Sequence, residues 1–86
     1  MTNAQVSPSE LVPDLADRLA KSLQVAGLSV ADMADYMEAH RNTIGAWLNR
    51  RARPRPANMR LWAMRTGVPY EWLRDGTWPE HPSEES

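Results

Sequence analysis

LSVADMADYMEAHRNTIGAWLNR, running from Leu28 to Arg50, holds two short helical patterns separated by three residues. Ser29 is a good helix cap, because its side-chain oxygen can accept from a backbone N–H of the first turn, and Asp32, three positions on, favours the same positive helix end. Val30, Met33, Ala34 and Met37 follow at spacings of three, one and three, which predicts a helix of about two turns. After Glu38-Ala39-His40 the pattern resumes. Residues 41–49 place Ile44, Trp47 and Leu48 at i, i+3 and i+4, the spacing of a second short helix with one buried face.

The flanking segments read as helices that complete a core around this pair. Pro13 fits a first helical turn, Asp14 and Asp17 favour its dipole, and Leu15, Leu19 and Leu23 with Ala16, Ala20 and Ala26 form an apolar stripe that ends at Gly27, a left-handed cap. A start at a Ser7–Glu10 capping box would put Pro13 inside the helix, so the later start is preferred. On the other side, the prolines of RARPRP cannot continue a helix, and residues 50–55 form an arginine-rich connection. Pro56 suits the first turn of a fourth helix with Met59, Leu61, Trp62, Ala63 and Met64 as a wide apolar surface. Gly67 stops it, with Val68 packing back over its end. Pro69 opens a last short helix that buries Trp72 and Leu73 and ends near Gly76. Residues 1–12 form a polar tail, 13–76 the domain, and 77–86 an acidic, proline-rich tail.

An 86-residue chain without cysteine is a single domain that must hold by packing alone. No apolar run approaches a membrane span and the first residues lack a signal-peptide pattern, so a soluble, cytoplasmic protein is expected. The formal net charge is only −1, but the charges are segregated. All eleven acids lie before residue 39 or after residue 70, while Arg41, Arg50, Arg51, Arg53, Arg55, Arg60 and Arg65 fill the acid-free stretch between. Arginine's planar fork suits phosphates and guanine edges, so a block of this kind points to an anion-facing surface rather than an incidental basic loop.

The Leu28–Arg50 stretch resembles the helix-turn-helix of the Cro and lambda-repressor class of phage and bacterial regulators. Ala34 falls where that family keeps a small residue between its two helices, Met37 and Ile44 fall on core positions, and Trp47 falls on the large apolar residue that locks the second helix. LWAMRTGV and EWLRDG resemble the family's fourth and fifth helices, so the likeness covers roughly residues 13–76. It implies an all-α, compact five-helix lambda-repressor-like domain. The chain departs from the family pattern at Glu38, where glycine is usual, at His40, where serine or threonine caps, and at Val30, near the place of a phosphate-touching glutamine. A non-glycine residue in the left-handed region at Glu38 costs about 1 kcal/mol, which a packed helix pair tolerates.

With Ile44 at the centre of the buried face, a rotation of about 100° per residue turns Asn42, Gly45, Ala46 and Asn49 outward and leaves Arg41 on the flank. Small and amide residues make a poor solvated helix face, but they let a backbone come close to base edges in a DNA major groove. Base contacts are therefore expected from Arg41 to guanine, Asn42 to adenine, and Gly45 and Ala46 by close approach, Ala46 against a thymine methyl. Asn42 also suits a phosphate, and both it and Asn49 read equally well as ordinary surface polarity. His40, Thr43, Asn49, Arg50, Arg51, Arg53 and Arg55 are expected on phosphates or in a neighbouring minor groove, with a local capping bond as the alternative for His40 and Thr43. About five engaged phosphates would give a log–log salt slope of roughly −4 to −5. Arg60 and Arg65 suit a helix face away from DNA equally well.

Trp47, Trp62 and Trp72 read as core. Trp78 either folds back or packs against a second subunit, and the acidic tail either repels phosphates or solubilises the chain end. His40 and His81 stand apart without cysteine, so no metal site, cofactor or catalytic histidine is expected. No paired carboxylates, nucleophile constellation or phosphate loop appears, which argues against an enzyme or a small-molecule substrate. The expected function is a sequence-specific double-stranded DNA-binding transcriptional regulator, most like a phage Cro-like or immunity-type repressor. The chain length leaves no room for a second, cleavable domain, so regulation by abundance and operator affinity is expected. Relatives bind as dimers to half-sites about 34 Å apart, and a homodimer is a possible partner state here. An excisionase-like architectural protein and an antitoxin-type protein-binding module are the alternatives.

Overall fold

In the computed structural model, which describes residues 13–79, several helix ends coincide with capping residues: Asp14 and Ser29 cap two starts with their side chains, and Gly27, Gly67 and Gly76 stand in the left-handed region at three ends. Five helices follow in order: α1 (Leu15–Ala26), α2 (Val30–Met37), α3 (Arg41–Leu48), α4 (Pro56–Thr66) and α5 (Tyr70–Asp75). The described residues are all-α, with no strand among them. The expected tails at 1–12 and 80–86, with His81, lie outside the described residues.

Helices α1 and α2 start with reciprocal capping boxes. Asp14 Oδ1 accepts from Asp17 N at 3.0 Å while Asp17 Oδ2 accepts from Asp14 N, and Ser29 with Asp32 repeats the arrangement at 3.0 Å in both directions. Pro13 therefore precedes the cap instead of occupying the first turn, and Pro69 stands at the cap position of α5, without a side-chain capping bond, and not in its first turn. A proline, lacking an N–H, is tolerated on either side of this boundary, so its position alone does not fix the helix start.

The first two helices end alike. Gly27 and Glu38 sit in the left-handed region at φ 72° and 55°, and the residue after each donates back to the carbonyl five positions earlier. Glu38 thus adopts the conformation expected of it without glycine's freedom.

One apolar stripe from each helix meets in the centre. Leu19, Met33, Ile44, Trp62 and Leu73 are fully buried, one from each of the five helices. Helix α3 packs on α1 and α2, whereas α5 packs on α1 and α4, so the two lie on different sides of the core. Trp47 and Trp62 bridge it with ring centroids 6.1 Å apart. Trp62 Nε1 donates to the buried Ser22 Oγ at 2.8 Å, and that hydroxyl donates to the Leu19 carbonyl at 2.7 Å, so this buried polar pair is satisfied.

Three details of the expected core differ. Ala20 is exposed, because the stripe through Leu15, Leu19 and Leu23 takes Ser22 as its neighbour instead. On α4 the core takes Met59, Trp62 and Ala63 at i, i+3 and i+4, leaving Leu61 and Met64 exposed at 39% and 73%. Trp72 is half-buried against the core edge. Val68 packs back over the end of α4, as its place after Gly67 suggests. Arg18 joins the first helix to the last: it donates to the Leu73 and Arg74 carbonyls at 3.0 Å each, satisfying acceptors at the end of α5. No helix among the described residues is long and apolar enough to cross a membrane.

Candidate nucleic-acid interface

Helix α3 is held by its inner face alone. Ile44 and Trp47 are buried, with Leu48 partly so, and Ala34 of α2, itself buried, keeps a small side chain within the core that the two helices share. Its start is uncapped by any side chain: His40 occupies the cap position, is exposed, and makes no capping bond. The expected local role of His40 is therefore not realised. The Arg41 and Asn42 amides are thus left without an acceptor among the described residues, at the positive end of the helix dipole.

The outer face of α3 carries what the helical projection gives it. Arg41, Asn42, Thr43 and Asn49 are exposed, and Gly45 and Ala46 are half-buried. A Cβ built on Gly45 would meet nothing within 4 Å, so the described protein leaves open space over this residue. Thr43 makes no capping bond, and its amide is bonded to the His40 carbonyl at 3.0 Å. Arg41, Asn42, Gly45 and Ala46, the four expected base-contacting residues, lie together within two turns of one helix.

The end of α3 leads directly into the arginine connection. Arg51 N donates to the Ala46 carbonyl at 2.9 Å and Arg50 N to the Trp47 carbonyl at 3.4 Å, with Arg50 left-handed at φ 66°. This is the same helix-ending geometry as at Gly27 and Glu38, with arginine where glycine is favoured. The Arg50 side chain is the main correction to the expected site. Its Nε donates to Asp14 Oδ2 at 2.6 Å, and its Nη2 donates to Asp14 Oδ1 at 3.1 Å and Asp17 Oδ1 at 2.8 Å. Expected on a phosphate, this guanidinium is instead held by two carboxylates of its own chain. The Arg50 hydrogen bonds, followed by the amide of Asp17, pull the Asp14 carboxyl down to about 2, and the Asp14 carboxylate in turn raises Arg50.

Arg51, Arg53 and Arg55 are exposed, and none forms an ion pair among the described residues. Pro54 between them is buried. The connection is thus anchored at residue 50 by an ion pair and at residue 54 by burial, and it borders a cleft of about 540 Å³ shared with Asp14, Leu15, Ala16 and Trp47.

The other two arginines of the acid-free stretch belong elsewhere. The Arg60 guanidinium lies over the Tyr70 ring at 4.6 Å and Arg65 over Tyr36 at 5.8 Å, each a cation–π contact within the protein. Trp78 is 64% exposed and does not fold into the core. Together with Met64 and Tyr70 it lines a second cleft, of about 1040 Å³, between α4 and α5.

Sequence reasoning missed Asp14 and Asp17 as partners of Arg50. They lie 36 and 33 residues away, and their local role as a helix cap already accounts for them. Comparison with protein-family models, with curated proteins and with solved structures returns no match.

Proposed function

We propose that the chain is a sequence-specific double-stranded DNA-binding regulator of the Cro and lambda-repressor kind, which inserts α3 into the major groove and represses by occupying operator DNA. One observation carries this reading: the outer face of α3, lined by Arg41, Asn42, Gly45 and Ala46, runs into a segment of exposed, unpaired arginines. On a solvated helix such a face is a disadvantage, since glycine costs about 1 kcal/mol against alanine and asparagine is a weak helix former. Against a groove it is an advantage, because the backbone can approach the bases.

The roles divide by chemistry. Arg41 and Asn42 suit bidentate contacts, each supplying about 1–3 kcal/mol of discrimination, while Gly45 and Ala46 permit the approach. Arg51, Arg53 and Arg55, with the open N-terminal amides of α3, His40, Thr43 and Asn49, suit phosphates. Arg50 leaves this set, since its charge is already matched. With about four phosphates engaged instead of five, the salt slope becomes roughly −3 to −4.

Footprinting on the DNA that flanks the gene, at two salt concentrations, tests the reading. A protected site that weakens with salt, loses sequence preference in Arg41→Ala and weakens uniformly in Arg53→Ala is expected. Protection independent of salt and of both arginines would remove it.

A further inference from the structure

The pairing of Arg50 raises a question that the DNA reading leaves open: two carboxylates sit beside the arginine connection, where a polyanion should be repelled. Charge alone makes Asp14 and Asp17 unfavourable there. Their geometry gives a reason for them. Arg50 is the residue at which the chain leaves α3, in a left-handed conformation that glycine would adopt without strain, yet its long side chain reaches both acids at 2.6–3.1 Å. Four residues later Pro54 is buried. The segment carrying Arg51 and Arg53 is therefore held at both ends, and Arg55 follows as the residue before α4.

We propose that Asp14 and Asp17 are positioning residues of the nucleic-acid interface: by clamping Arg50 they fix the path of residues 51–55, so that Arg51, Arg53 and Arg55 meet phosphates as a pre-aligned arm. The proposal rests on the DNA-binding reading. An arm that is already ordered loses less conformational freedom on binding than a loose arginine segment would. The clamp also offsets one of the two negative charges of Asp14 and Asp17, so part of their repulsion of a polyanion is cancelled. The Asp14 carboxyl, held well below the usual carboxylate range by Arg50, stays ionised throughout the neutral range, so the pair keeps both its charges there.

The test uses the full chain and a mixed-sequence DNA duplex of about two helical turns, followed by fluorescence anisotropy across a salt series. The Asp14→Asn/Asp17→Asn double variant keeps a good helix cap, because asparagine caps as well as aspartate. It should bind several-fold more weakly than the wild type although it has lost two negative charges. In its background Arg53→Ala should weaken binding less than it does in the wild type, a coupling that general destabilisation would not create. Hydrogen exchange at the Arg51 and Ala52 amides, which donate to the Ala46 carbonyl, should quicken. Arg50→Gly, which removes the clamp while easing the backbone, gives a second route to the same faster exchange.

Equal or tighter binding by the double variant overturns the proposal, as does a slope steeper by about one, which would reveal Arg50 released to a phosphate. Unchanged exchange at residues 51 and 52 overturns it even without DNA. A wild type that fails to bind the duplex at any salt removes the DNA reading itself, while the exchange measurement still reports whether the clamp orders the arm.

Discussion

Gly45 is the residue at which the functional reading and plain stability make opposite demands. Nothing in the described protein approaches the position an added Cβ would take, so Gly45→Ala should stabilise α3 by about 0.5–1 kcal/mol and raise the melting temperature. Under the proposed DNA reading the same methyl would stand between the helix backbone and a base edge, so affinity for DNA should fall; paired melting and binding curves check both signs. Asp14 supports a second residue-scale prediction. Its carboxyl, held near 2 by Arg50, is depressed from 3.8, so its contribution to stability is complete above about 4 and is lost as the pH falls toward 2. Melting temperatures measured from neutral to acid pH should show wild type above Asp14→Asn at neutrality and the two converging near pH 2. The outward set on α3 was legible from helical rotation alone, because Ile44, Trp47 and Leu48 fix which side turns inward. The Asp14–Arg50 pair was not legible, since nothing local to either residue signals a partner 36 positions away.

At the scale of the element, the chain states its boundaries in capping residues. Ser29 with Asp32, Gly27, Gly67 and Gly76 end or begin helices where they stand in the sequence, and the left-handed state of Glu38 follows from its place between two apolar patterns. What local patterns misassign is the width of a face. Leu61 and Met64 are apolar and lie on α4, yet only the narrow strip through Met59, Trp62 and Ala63 meets the core, because a short helix touches its neighbours along one line. Glu38 and Arg50 share a left-handed backbone but differ in what their side chains do. Glu38→Gly should stabilise the protein by up to about 1 kcal/mol by relieving the backbone, seen as a higher denaturation midpoint. Arg50→Gly gains the same relief but loses the bonds to Asp14 and Asp17, so its stability at neutral pH should rise less than that of Glu38→Gly, by the same assay.

Across the whole molecule the charge balance hides an internal division. The chain is nearly neutral, yet α3 and the segment after it present arginines outward, while Arg60 and Arg65 are turned onto tyrosines of other helices. Overall charge is a poor guide to partners in such a case; position in the fold decides which cations are free. The division depends on one small core, with Trp62 and Ser22 as its buried polar link. Trp62→Phe would remove the indole donor and part of its volume, and a loss of about 1–3 kcal/mol is expected in chemical denaturation. In a domain of this size that is a large share of the total stability.

Selection from a pool of random DNA duplexes, with the wild type and Arg41→Ala run in parallel and the bound fraction sequenced, addresses the claim that α3 reads bases. Wild-type protein should enrich one short motif, and Arg41→Ala should lose preference at a guanine within it while keeping the rest. Wild-type protein that enriches no motif, or an Arg41→Ala variant that enriches the same one unchanged, would contradict the account.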